Sequence, residues 1–292
     1  MDGEIARSRS FYGVLRVNVE DEEYPSLKNY TLVNGRILHG LQFDAKEKRR
    51  IPTTYYGPTT GIGLLMEHYP KVKNRSVGLV GLGAGTMAAY GEAGDRFRFY
   101  EINPDVLRIA TEYFTYLKDC PADHPVILGD ARVSLQRELA EGQHHNFDVL
   151  VLDAFSSDAI PVHLLTREAI EIYLQHLAPQ GVIAVHISNR HFDLAPVVLA
   201  AADAFKLKVL TVDAEKGPDE QYSSTWMLVG RDPASWAAIA KEPSASVPEE
   251  TDPRTTLWTD NFSNVVGILK NSPLEKSTWK EMWNRLRGKT KD

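Results

Sequence analysis

The chain has 292 residues, a net charge of −6 and an apolar fraction of 43%. A chain of this length and composition can bury a large core, as one or two domains, without disulfides. The single cysteine, Cys120, excludes a disulfide framework within the chain, and the acidic balance argues against a general nucleic-acid binder. No apolar run reaches the roughly 18 residues of a membrane span, and the first residues lack a secretion signal. We therefore expect a soluble, cytoplasmic protein.

The amino-terminal segment, residues 1–58, has the pattern of a small antiparallel β unit. Residues 11–19 alternate apolar and polar side chains toward their end, as a half-buried strand does. A second strand-like run, residues 30–38, contains Asn34-Gly35. This dipeptide is the strongest short signal of a two-residue hairpin turn, so we expect a hairpin here.

Residues 59–270 have a different sequence pattern, in which short runs of β-branched residues alternate with segments of helical periodicity. Helical patterns begin near residues 86, 104, 133, 165 and 195. The predicted strands are residues 77–80, 97–102, 126–128, 147–152, 181–187, 208–212 and 225–229. This alternation predicts an α/β fold with a doubly wound, mostly parallel Rossmann-like sheet. The spacing of apolar residues in segment 271–292 predicts a helical carboxyl-terminal tail.

A glycine-rich turn, residues 80–86, follows the first strand of this domain. Gly81, Gly83 and Gly85 allow a ligand to approach the backbone closely, and free amides at the start of a helix attract polar groups. A tight turn without a ligand is the alternative. The turn lacks the third glycine of the dinucleotide fingerprint, since Met87 and Ala88 follow Thr86, and this favours a single nucleoside.

Acidic residues follow the next three strands. Glu101 lies 20 residues after Gly81, where a carboxylate can bind both ribose hydroxyls; a solvated strand-end glutamate is the alternative. Asp130 can take the amino group of adenine or cap the following helix. Asp153 and Asp158 follow a central strand, where ligands bind in open α/β sheets, or they are capping acids. This order is typical of the S-adenosylmethionine-type nucleoside fold.

Together with Tyr222-Ser-Ser-Thr225, these motifs resemble those of the spermidine synthases, or polyamine aminopropyltransferases, over about residues 10–270. Residues 11–17, 52–58 and 258–264 are similar to the spermidine synthase-like domains fused to bacterial membrane-spanning segments. The resemblance implies transfer of an aminopropyl group from decarboxylated S-adenosylmethionine to a di- or polyamine such as putrescine, with release of methylthioadenosine. It also implies a homodimer, and a chain that is part of, or associated with, a membrane protein.

The resemblance assigns roles to individual residues. It makes Asp153 the proton acceptor, Asp158 the group that orients the amine, and Tyr222 an assisting hydroxyl. Tyr55 or Tyr56 matches a substrate-binding tyrosine, and Gln42 is placed with them on the amine side. The expected nucleoside site consists of Gly81, Gly83, Gly85, Glu101, Ile102, Asp130 and Ala131. The donor is a co-substrate; we expect no permanent cofactor, no nucleic acid and, from the histidine and cysteine spacing, no metal.

Three departures from the family pattern keep other activities open. Ala84 stands where the family usually has an aspartate that helps to bind the aminopropyl amine. Asp153 and Asp158 are further apart than the usual Asp-x-x-Asp pair, and His39 stands near a family glutamine. A methyltransferase that uses intact S-adenosylmethionine and a non-catalytic domain that binds a nucleoside or polyamine are therefore the alternatives.

Overall fold

The first of two sheets is formed by the amino-terminal segment. The computed structural model describes residues 3–70, 73–154, 161–248 and 256–270. The sheet is antiparallel, in the order β1-β2-β3-β4. Its strands are β1 (Glu4–Ser10), β2 (Gly13–Glu20), β3 (Asn29–Asn34) and β4 (Ile37–Phe43). Alternate residues of β2 are buried, so one face of this sheet packs on the core.

The predicted hairpin is confirmed, with a shift in its turn. Asn34 pairs with Ile37, so Gly35 and Arg36 occupy the two turn positions, and Gly35 has a φ of 62°. Residues 11 and 12, which we predicted as strand, form the turn between β1 and β2. Strand β1 was not predicted from the sequence.

The second sheet has eight strands in the order β12-β10-β11-β9-β8-β5-β6-β7. Strands β5 to β9 pair in parallel, whereas β10, β11 and β12 pair antiparallel with their neighbours. The predicted mostly parallel α/β fold is confirmed. The strands are β5 (Ser76–Val80), β6 (Arg96–Glu101), β7 (Val126–Leu128), β8 (Phe147–Leu152), β9 (Leu177–His186), β10 (Lys208–Ala214), β11 (Ser224–Gly230) and β12 (Ala245–Ser246).

Helices cover both faces of this sheet. They are α1 (Gly61–His68), α2 (Pro104–Glu112), α3 (Ala131–Ala140), α4 (Arg167–His176) and α5 (Ala195–Ala204). Val149 and Val151 of β8 pack in one core with α1, α2 and the small sheet, while Leu150 and Leu152 pack in a second core with α3, α4 and α5. The α-helix predicted after the glycine turn is a five-residue 3₁₀ helix, Thr86–Tyr90. Across the described part of the chain, no helix combines the length and apolar character needed to cross a bilayer.

A buried carboxylate joins α3 to the central sheet. Glu138, which is 3% exposed, accepts hydrogen bonds from Arg98 at 2.6 Å and from the Tyr100 hydroxyl at 2.7 Å. His145 Nε2 lies 2.9 Å from the same carboxylate. Burial raises the pKa of Glu138, but these hydrogen bonds and the charge of Arg98 outweigh it and lower the pKa to about 2.

The lowered pKa of Glu138 predicts a pH-dependent contribution to stability. The ordinary value is 4.5, so the contribution is present above about pH 4.5 and is lost as the pH falls toward about 2. We expect the free energy of unfolding of the wild type to exceed that of Glu138→Gln by an amount that shrinks over this window. Denaturant unfolding at several pH values measures it, with Glu141→Gln at the exposed end of α3 as the control. A difference independent of pH would contradict the assignment.

Candidate functional site

The site lies at the carboxyl ends of the parallel strands. Strand β5 lies between β8 and β6, so the strand order reverses here: β6 and β7 lie on one side of β5, and β8 and β9 lie on the other. Open α/β sheets bind ligands at such a switch point. A cavity of about 200 Å³ opens there. The polar or glycine residues of its wall include Asn34, His39, Tyr55, Gly81, Gly83, Glu101, Asp130, Asp153 and His163.

The glycine turn is fixed by close contacts on two sides. Gly81 has a φ of 104°, and a Cβ there would lie 2.2 Å from the carbonyl oxygen of Asp153. Gly83 has a φ of 55°, and a Cβ there would lie 2.8 Å from the carbonyl oxygen of His39. Both positions therefore require glycine. The turn packs between the end of β8 and strand β4. Its backbone forms part of the cavity wall.

Glu101 ties the glycine turn to the end of β6. Its carboxylate accepts the backbone N–H of Leu82 at 3.0 Å and that of Asn103 at 2.8 Å. Burial raises the pKa of Glu101, and the backbone hydrogen bonds oppose that shift. Both Glu101 and Ile102 line the cavity, so the structure brings the predicted ribose acid to the glycine turn.

Asp130 caps a helix and also faces the cavity. Its Oδ1 accepts the backbone N–H of Val133 at 2.9 Å, so it is the N-cap of α3, and it lines the cavity beside Ala131. Its Oδ2 lies 2.8 Å from Nε2 of His163. Arg132 holds this end of the cavity in place, because it bonds both oxygens of Asp260 at 2.6 Å and donates to the His163 carbonyl at 3.0 Å.

Asp153 is held on both carboxylate oxygens. The Tyr56 hydroxyl donates to Oδ2, and Nδ1 of His186 lies 2.8 Å from Oδ1. The His186 ring is stacked between Tyr55, at 4.4 Å between centroids, and Trp226, at 4.8 Å. Burial raises the pKa of Asp153, but the charge and hydrogen bond of His186, with the Tyr56 hydrogen bond, outweigh it and lower the pKa below its ordinary value. The carboxylate is thus buried and ionised.

Sequence reasoning missed His186 and gave His39 no role of its own. His186 is the last residue of β9, beside the end of β8, so its position at a strand end was the available signal. His39 lies in β4 and lines the cavity. Only the tertiary packing of the two sheets brings it near Asp153.

Tyr222 and Gln42, two of the predicted substrate or catalytic residues, do not line the cavity. Asp158 lies outside the described residues. Tyr222 is half-buried and donates its backbone N–H to Thr54, and its side chain does not line the cavity. Gln42 is 2% exposed. Its side-chain Nε2 donates to the Arg49 carbonyl and the Thr115 hydroxyl, and its Oε1 accepts the backbone N–H of Thr115. Gln42 thus joins β4 to the segment after α2.

The chain has a Rossmann-like α/β fold, with a cavity at the carboxyl ends of its parallel strands. No family model matches the chain. The chain is 30% identical over 164 residues to the polyamine aminopropyltransferase of Vibrio vulnificus, covering 54% of this chain and 51% of that protein. It is 37% identical over 112 residues to the N-terminal histidine N-methyltransferase of Emericella nidulans, covering 38% of this chain and 19% of that protein. The chain thus spans about half, or less, of the length of these relatives.

A crystal structure of a probable spermidine synthase from Corynebacterium glutamicum superposes with a TM-score of 0.62 at 17% identity, over 90% of this chain and 98% of that one. At this identity the superposition shows the fold. The sequence similarity to aminopropyltransferases agrees with it. The chain is thus similar in part of its sequence to polyamine aminopropyltransferases and similar in fold to a probable spermidine synthase.

The two hydrogen bonds on Asp153 predict the effect of removing one of them. Because the Tyr56 hydroxyl helps to lower the pKa of Asp153, we expect Tyr56→Phe to raise that pKa. Carboxyl ¹³C NMR of aspartate-labelled protein measures it, with the Asp153 signal assigned by its absence in Asp153→Asn. The control is Tyr69→Phe, which removes a hydroxyl bonded to the Gln180 carbonyl. An unchanged or lower Asp153 pKa in Tyr56→Phe would show that the hydrogen bond is not formed in solution.

Proposed function

We propose that the chain is an aminopropyltransferase, which moves the aminopropyl group of decarboxylated S-adenosylmethionine to a di- or polyamine such as putrescine and releases methylthioadenosine. One feature carries the proposal: Asp153, buried and ionised, lines the same cavity as the glycine turn, Glu101 and Asp130. The negative charge of Asp153 would attract a cationic amine. The glycine turn, Glu101 and Asp130 offer hydrogen-bonding groups for the nucleoside of the donor. The similarity to the polyamine aminopropyltransferase of Vibrio vulnificus supports the same activity.

On this proposal the nucleoside and the amine occupy two ends of the cavity. On this proposal Glu101 binds the ribose hydroxyls, Asp130 receives the amino group of adenine, and the amides of the glycine turn face the nucleoside. Asp153 binds the attacking amine and accepts the proton that the cationic amine must lose before it attacks. The amine nitrogen forms a bond to the carbon beside the sulfonium as the bond from that carbon to sulfur breaks. Methylthioadenosine leaves as a neutral thioether. Holding both reactants in one cavity lowers the entropic part of the barrier.

A methyltransferase is the second candidate, and one observation favours it. Ala84 is buried and packs against Gly40, where an added Cβ would lie 2.4 Å from the Ala84 methyl group. No carboxylate stands at that position to select the aminopropyl amine. The similarity of 112 residues to the N-terminal histidine N-methyltransferase of Emericella nidulans agrees with this candidate.

Product analysis distinguishes the candidates. The protein is incubated with putrescine and either decarboxylated or intact S-adenosylmethionine, and the products are identified by mass spectrometry. We expect methylthioadenosine and an aminopropylated amine from the decarboxylated donor. A methylated product from the intact donor would replace the proposal with the second candidate. Methylthioadenosine binding without any product would indicate a non-catalytic domain. The homodimer, the cytoplasmic location and the association with a membrane protein stay predictions.

Glu101→Gln tests the nucleoside end. It removes the charge that strengthens hydrogen bonds to the ribose, a loss of about 1.5–3 kcal/mol of binding free energy. Calorimetry with methylthioadenosine measures the loss. Glu112→Gln, at an exposed Glu paired with Arg108 in α2, is the control and should bind as the wild type does. Equal affinity of Glu101→Gln and wild type would remove Glu101 from the nucleoside site.

Asp153→Asn tests the amine end. The amide keeps the shape but loses the charge, and a lost charge-assisted hydrogen bond of about 1.5–3 kcal/mol raises KM for the amine about 10–150-fold. Because the amide cannot accept a proton, kcat should also fall, by about 10²–10⁴-fold. Methylthioadenosine affinity should stay unchanged, because Glu101 and Asp130 bind the nucleoside. Steady-state kinetics with varied putrescine measures KM, with Asp203→Asn at an exposed position of α5 as the control. An unchanged KM for the amine would remove Asp153 from the anchoring role.

A further inference from the structure

His186 is a buried titratable residue beside Asp153, and the proposed reaction gives it no task so far. It is the last residue of β9, the strand next to β8, and it is 6% exposed. Its Nδ1 lies 2.8 Å from Oδ1 of Asp153. Because an ionised carboxylate can only accept hydrogen bonds, Nδ1 must carry the hydrogen and donate it to Oδ1. The direction of this hydrogen bond is therefore fixed.

The imidazole ring of His186 is held on both of its faces. The Trp226 ring stacks on one face at 4.8 Å between centroids, and the Tyr55 ring stacks on the other at 4.4 Å. Trp226 lies opposite His186 in the antiparallel pairing of β11 with β9, and its indole N–H donates to the Tyr55 carbonyl at 3.1 Å. The two outer members of the stack are thus also joined to each other. The imidazole cannot turn away from Asp153 without breaking a stack.

The environment of Asp153 makes the bond from His186 important for its charge as well. The titratable groups that face this carboxylate are Tyr55 and Tyr56 before α1, His186 at the end of β9 and His39 in β4. Burial raises the pKa of Asp153, and the charge and hydrogen bond of His186 are the largest effects that oppose burial. Without them the buried acid would shift toward its protonated form. That form neither attracts a cationic amine nor accepts its proton.

We propose that His186 is a positioning residue, which holds the carboxylate of Asp153 in the orientation that receives the proton of the amine. The inference rests on the proposed aminopropyltransferase activity. His186 does not line the cavity, so it acts through Asp153 and not on a substrate. Its bond fixes Oδ1, the Tyr56 hydroxyl fixes Oδ2, and each oxygen keeps a further acceptor site for the amine.

The transfer itself balances with Asp153 as the only proton acceptor. The ammonium group gives one proton to Asp153, and the nitrogen electron pair then forms the bond to the carbon beside the sulfonium. The electron pair of the broken carbon–sulfur bond stays on the sulfur of methylthioadenosine. The product leaves as a secondary ammonium ion, and Asp153 releases its proton to water. Because a base must lie within hydrogen-bond reach of the proton it takes, a carboxylate that is free to rotate would react more slowly.

Two substitutions of His186 separate the hydrogen bond from the packing. His186→Phe keeps an aromatic ring between Tyr55 and Trp226 but has no donor for Asp153. His186→Asn loses the stacked ring but keeps a side-chain N–H that can donate to Oδ1. At a pH where Asp153 is ionised, we expect His186→Phe to lower kcat about 10–150-fold, the range for one charge-assisted hydrogen bond. KM for the amine should change less than kcat, because the charge of Asp153 remains. His186→Asn should recover most of kcat.

The pH profile of kcat gives a second readout. The hydrogen bond lowers the pKa of Asp153, so its removal should move the low-pH limb of the profile to higher pH in His186→Phe but not in His186→Asn. The matched control is His176→Phe. His176 is also fully buried, stacks on His145 at 5.0 Å and has its Nε2 3.0 Å from the Leu135 carbonyl. Because it does not line the cavity, this control should keep the wild-type kcat and pH profile.

The outcomes separate this inference from the proposed function. A wild type that makes no aminopropylated product refutes the function, whatever the variants do. An active wild type with unchanged kcat and pH profile in His186→Phe overturns the positioning role and leaves the function intact. Equal losses in His186→Phe and His186→Asn would also overturn it, because packing and not the hydrogen bond would then account for the loss.

A further measurement uses the wild type and does not depend on the folding of His186→Phe. ¹⁵N NMR of histidine-labelled protein reports whether Nδ1 carries a proton, with the His186 signal assigned by its absence in His186→Asn or His186→Phe. We expect a protonated Nδ1 at pH 7, since the hydrogen bond to Asp153 requires one. An Nδ1 without a proton at this pH overturns the inference.

Discussion

The buried carboxylate of Asp153 is the constraint on which the site depends. An ionised group inside a protein is costly unless it is paired and hydrogen-bonded. Here a phenol and an imidazole satisfy its two oxygens. Tyr56 comes from the segment between β4 and α1, and His186 comes from the end of β9. Trp226 of β11 pairs with His186 in the sheet and stacks on its ring. The contacts around this one carboxylate therefore fix the ends of β8 and β9, strand β11 and the segment between β4 and α1 relative to one another.

The small amino-terminal sheet serves as a wall of the site. Tyr116 donates its hydroxyl toward the Leu41 and Ile51 carbonyls, and Gln42 bonds the backbone and side chain of Thr115. These bonds dock β4 onto the segment after α2, and the docked strand then meets the glycine turn. Because the cavity lies between the two sheets, neither sheet alone would form the complete site.

The sequence predicts the parts of the fold that have a clear period or a fully apolar run. Strand β8 has the predicted bounds, because all six of its residues are buried and all except Asp148 are apolar. Helix α1 was missed because its first six residues are all buried, which leaves no polar face to reveal a helical period. The strand-end acids Glu101, Asp130 and Asp153 were found because the carboxyl ends of parallel strands meet at one edge of the sheet. The hydrogen bonds of Tyr56 and His186 to Asp153 could not be found from the sequence, because only tertiary packing brings these residues together.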